Sequence, residues 1–95
     1  MEIKKHIGTI TFLVQKREIV SREINEILTN NSRLITTRLG VNIKPSCIKN
    51  CSGLIALIVE GTVEEINKLT NQLNSITGVK ARNNIMTIKS SNICE

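Results

Sequence analysis

The pattern of apolar residues predicts an α+β sandwich of βαββαβ order, with one antiparallel sheet and both helices on the same side of it. Three observations carry this expectation. The apolar period switches between that of a strand and that of a helix in the order strand, helix, strand, and then repeats. The two most apolar strand-like runs are the first and the third. Charge falls instead on the other two, where Arg33, Arg38, Lys80 and Arg82 would discourage pairing at exposed sheet edges.

Residues 7–14 are rich in Ile, Thr, Phe and Val, and alternation puts Gly8, Ile10, Phe12 and Val14 on one face of a first strand. Over residues 18–28, Val20, Ile24, Ile27 and Leu28 recur at helical spacing, and Glu18 lies four residues before Arg22. That helix is expected to end near Asn30 and Asn31. Residues 34–40 set Ile35, Thr37 and Leu39 against Arg33, Thr36 and Arg38, the alternation of a half-exposed edge strand. Pro45 and the loss of alternation make residues 41–52 the one long loop. Residues 54–59 are apolar throughout, which predicts a central strand buried on both faces. Thr62 and Glu65 form a capping box before a helix face of Ile66, Leu69, Leu73 and Ile76, with Gly78 as its stop. Residues 79–82 and 85–88 are short strand pieces, and Asn83 and Asn84 between them read as a turn or a bulge. Right-handed crossovers then give the ferredoxin-like sheet of order 4-1-3-2. One domain is expected over residues 1–95, with its core over about residues 6–88 and a loose tail at 89–95.

Composition removes several functions. The longest apolar run is far shorter than the ~20 residues of a membrane helix. The charged opening lacks the features of a signal peptide, so a cytoplasmic protein is expected. Three cysteines, an odd number, then predict reduced thiols. The net charge of +5 is scattered along the chain, and Phe12 is the single aromatic, too few for a base-stacking surface. No segment resembles a helix-turn-helix, so direct sequence-specific DNA binding is not expected.

Two helices on one side of the sheet leave the other side bare. Ile7, Thr9, Thr11 and Leu13 of the first strand and Leu54, Ala56 and Ile58 of the third would line it. An apolar patch of that kind predicts self-association into a dimer or tetramer through the sheet face or an edge.

No catalytic set can be assembled, so the chain is not expected to be an enzyme. His6 is the only histidine and belongs to the start of a strand, while Glu18, Glu23 and Glu26 suit a solvated helix face. Glu64 and Glu65 suit a helix N-terminus. No phosphate-binding glycine motif occurs, and no cofactor is expected. Cys47 and Cys51 form a C-x3-C that offers weak candidate ligands for zinc or an iron–sulfur cluster, the basis of an alternative reading as a metal carrier. A protein-binding adaptor is a third reading.

Several stretches are similar to a known family: Ile7-Gly8, Asn25-Glu26-Ile27-Leu28, Arg38-Leu39-Gly40, Leu57-Ile58-Val59-Glu60-Gly61-Thr62, Leu69-Thr70 and Gly78-Val79-Lys80. Across about residues 7–80 the chain resembles the regulators of the iron-only hydrogenase system, which are related in fold to ACT domains and to the ligand-sensing half of the nickel-responsive repressor. The resemblance implies a ferredoxin-like subunit that forms homo-oligomers. It also implies an effector bound at subunit contacts, near strand ends and the loop before the first helix. Lys16, Arg38 and Gly40 are the residues of this chain that would then approach an anionic effector, and a protein partner is the other route for regulation. One histidine does not reproduce the nickel site of those repressors, and Gln15-Lys16-Arg17 replaces the Pro-Gly-type loop of amino-acid-binding ACT domains.

Overall fold

The computed structural model describes residues 5–43, 48 and 51–86. Strands β1 (His6–Val14), β2 (Ile35–Asn42), β3 (Gly53–Gly61) and β4 (Val79–Met86) alternate with helices α1 (Arg17–Asn30) and α2 (Val63–Asn74), and a 3-10 turn at Ser32–Leu34 leads into β2. The sheet order is β2-β3-β1-β4 with every neighbour antiparallel, which is the expected 4-1-3-2 order read from the other edge. The proline loop with Cys47, the tail at 89–95 and the side chain of Glu18, expected to face Arg22, lie outside the described residues.

Alternation along β1 and β3 drives the core. Ile10, Phe12 and Val14 meet Ile55, Leu57 and Val59 from the neighbouring strand, and α1 and α2 cover them with Ile24, Leu28, Ile66, Leu69 and Leu73. Each such side chain taken fully from water contributes about 1.5–3 kcal/mol before the cost of ordering it. Gly8 fits where β1 passes β4 because a Cβ there would stand 2.6 Å from the Asn84 carbonyl oxygen. The capping box holds: the Thr62 N–H donates to Glu65 Oε1 at 2.9 Å, and the Glu65 N–H donates to the Thr62 hydroxyl at 3.1 Å.

Four expectations are corrected. β4 is one unbroken strand with continuous register through Asn83 and Asn84, with neither turn nor bulge. Asn83 is accommodated because its amide donates to Thr70 Oγ1 and Asn67 Oδ1 on α2. β3 is buried on one face only, since Leu54 and Ile58 stay exposed. α2 ends at Asn74, so Ile76 packs into the core from the following turn, and Gly78, at φ +86°, supplies the left-handed residue just before β4. In β2 the register shifts between Ile35 and Thr37. That irregularity turns Ile35 toward the core while Thr37 and Leu39 face the other way, against the single face expected for all three.

Cys51 is a further difference. It is buried and disulfide-bonded, against the expected reduced thiol.

Candidate functional site

A cavity beside the β1–α1 loop and the bare face of the sheet both offer binding surface.

The cavity forms where the chain leaves β1 and where it returns from α2. The Gln15 N–H donates to the Gly78 carbonyl at 3.0 Å and holds these two loops together. Around that bond, Lys16, Ile19, Val20 and Glu23 of the α1 side face Ser75, Ile76 and Thr77 of the α2 side across a cavity of about 410 Å³. This volume suits a small molecule, given the ~300–1,000 Å³ usual for ligand pockets. Lys16 precedes α1 without capping it through its side chain. An ammonium, a carboxylate and two hydroxyls above an aliphatic floor make a site for a small polar ligand. A smaller hollow of about 220 Å³, lined by Leu13, Gln15, Gly78, Val79 and Lys80, adjoins the same two loops.

The predicted effector residues do not converge. Lys16 lines the cavity, whereas Arg38 and Gly40 sit on β2, two strands away from β1, and do not line it. The Arg38 guanidinium donates to Asn25 Oδ1 on α1 at 3.3 Å. Gly40 pairs with Ile55 on the helix-covered side, toward the end of the sheet where β1 also ends. Sequence reasoning missed Glu23, Ser75 and Thr77, whose proximity depends on how the loops meet. Their types alone carry no signal for it.

On the bare face, the expected Ile7, Thr9, Thr11 and Leu13 of β1 lie beside Leu54, Ala56 and Ile58 of β3. Ile7 is 37%, Leu54 39% and Ile58 44% exposed. Sequence reasoning missed the rest of this surface: Leu39 and Val41 of β2 and Met86 of β4, all exposed, continue the patch to both edges. Glu60, Lys80 and Arg82 are the charged residues that the register adds to it.

Metal chemistry finds little support in these side chains. Among the described residues no group of three or more His, Cys, Asp or Glu is placed to hold an ion. Cys51, in its disulfide, lacks the thiolate that zinc or an iron–sulfur cluster requires. Among the described residues, no helix is long and apolar enough to cross a membrane.

The architecture is shared with solved structures of low sequence identity. The ACT domain of GTP pyrophosphokinase from Chlorobium tepidum superposes with a TM-score of 0.61 at 12% identity, covering 90% of each chain. A PII-like protein of Thermus thermophilus, TTHA0516, gives 0.51 at 9% identity over 92% of this chain and 94% of its own. These likenesses show the fold, a ferredoxin-like sandwich that ACT and PII-like proteins also adopt. No protein of curated function matches the chain. Protein TM1266 of Thermotoga maritima is more similar, with a TM-score of 0.77 at 27% identity over 88% of this chain and all of its own. The chain belongs to the TM1266-like family, described as "Iron-only hydrogenase system regulator, putative", which matches residues 6–83.

Proposed function

We propose that this protein is a small, cytoplasmic, homo-oligomeric sensor that regulates an iron-only hydrogenase system by binding an effector, with no catalytic step of its own. The observation that carries this reading is the bare apolar sheet face on a chain that belongs to this family. A dimer or tetramer removes that face from water. The cavity beside Lys16 is the effector site, and its lysine favours a ligand with an anionic group. Arg38 and Gly40 stand at a second position, on the β2 edge, where a neighbouring subunit would complete a contact. Regulation runs through that effector or a protein partner and not through reading of DNA bases. The metal-carrier alternative through Cys47 and Cys51 is disfavoured by the disulfide at Cys51.

Size-exclusion chromatography with light scattering, joined to thermal-shift measurements with small carboxylates, phosphates and nucleotides, tests the proposal. A dimeric or larger mass is expected, with a melting temperature raised by at least one anion class in the wild type and not in Lys16→Ala. A monomer at all concentrations overturns the oligomeric part. An oligomer that no compound stabilises, or that Lys16→Ala leaves equally responsive, overturns the cavity as the effector site.

A further inference from the structure

The bare face carries its charges in a layout that restricts how a second copy can lie on it, a restriction that presupposes the self-association proposed above. The pairing register arranges the face in rows. Val41, Leu54, Leu13 and Lys80 form one row, and Leu39, Ala56, Thr11 and Arg82 the next. Thr37, Ile58, Thr9 and Asn84 come after them, and the last row holds Glu60, Ile7 and Met86. Among the described residues, the face therefore has one anion, Glu60 on β3, and two cations, Lys80 and Arg82 on β4. Glu60 and Arg82 are two strands and two rows apart, about 16 Å between Cα atoms by ordinary sheet spacings. They are too distant to pair within the molecule, and salt screens exposed charges beyond about 8 Å.

Stacked sheets adopt either a nearly aligned or a nearly perpendicular arrangement. Aligned stacking about an axis along the strands lays β4 over the partner's β2, which presses Lys80 and Arg82 onto Leu39 and Val41. Aligned stacking about an axis across the strands lays β4 over β4, which gathers four cations on one seam and sets Glu60 on apolar β3. Each desolvates charge without a counter-charge, an arrangement that costs free energy. A diagonal two-fold axis removes both conflicts. The strands then cross steeply, Ile58 and Ala56 meet near the middle, and each Glu60 reaches the partner's Arg82. We infer that the protein forms a face-to-face homodimer with crossed sheets, fixed by two reciprocal Glu60–Arg82 pairs with Lys80 as the flanking cation. Such pairs set orientation more than affinity.

Sedimentation velocity on the full chain tests the orientation. Glu60→Lys and Arg82→Glu, both at exposed positions, should each weaken the dimer about tenfold or more when alone. Mixed in equal amounts they should form a heterodimer, because both pairs are then attractive, and circular dichroism should show every variant folded. Failure of either reversal to weaken the dimer, or failure of the mixture to restore it, overturns the crossed arrangement. Ile58→Asp separates that failure from failure of the face itself: a monomer keeps the face as the interface, and an intact dimer rejects it. A wild type that stays monomeric overturns both.

Discussion

At the scale of single residues, Thr62 and Glu65 show how a local pattern becomes a measurable property. The main-chain N–H of Thr62 chiefly holds the Glu65 carboxyl below its ordinary pKa, helped by the Thr62 hydroxyl and the charges of Arg33 and Lys5, against partial burial that pushes it up. A carboxyl lowered in the folded state adds stability that is full above its unfolded pKa and is lost as pH falls through the folded value. The stability gap between wild type and Glu65→Gln should therefore be widest at neutral pH and close on acidification through the carboxylate range, as followed by urea unfolding at several pH values. Thr62→Ala should cost about 1 kcal/mol in the same measurement, the usual loss for a helix N-cap. This pair was fully legible in the sequence because a capping box spans only four positions. Lys16 was legible as a residue of the loop before α1, and it lines the cavity there. Its companions Glu23, Ser75 and Thr77 were not, since they converge through the Gln15–Gly78 contact between loops far apart in the chain.

Among the elements, β4 departs most from its local signal. Two consecutive asparagines read as a turn, yet α2 supplies what the strand lacks. Asn74 at the end of α2 donates to the Ala81 carbonyl and accepts from the Ala81 N–H, so one side chain takes the place of a neighbouring strand at that residue. Asn83 is drawn to the same helix through Thr70 and Asn67. Replacing Asn74 with Ala should cost about 1–2 kcal/mol by exposing both groups, and the Ala81 amide should lose protection in hydrogen exchange while amides of β1 keep theirs. The order of elements and the helix-covered core were readable because α1 and α2 carry clear helical periodicity and β1 and β3 are the most apolar strand runs, although the unbroken apolar run of β3 hid which of its faces is buried. The face assignment in β2 was not, because an irregularity of one residue at Thr36 reverses the alternation on either side of it and leaves no mark in composition. Leu39 was consequently missed as a member of the bare face, and Val41 was missed because β2 runs on to Asn42, into residues expected to be loop.

At the scale of the molecule, among the described residues, one side of the sheet is well clad and the other is not. Association that buries it stabilises the folded state by mass action, so the melting temperature of the wild type should rise with protein concentration, while that of Ile58→Asp should not. Differential scanning calorimetry over a hundredfold concentration range reads this directly. The two margins of the sheet are also unequal. At β4 the main-chain groups of Ala81 are already engaged by Asn74, while among the described residues β2 has no strand beside it on its outer side. A ribbon lengthens without limit only if each subunit offers a vacant border at both ends, and here one border is interrupted at Ala81. Copies joined along β2 would present only the plugged border to newcomers, and such growth would halt at a pair. In such a pair the Asn74 amide at Ala81 would stand in the way of fibril growth.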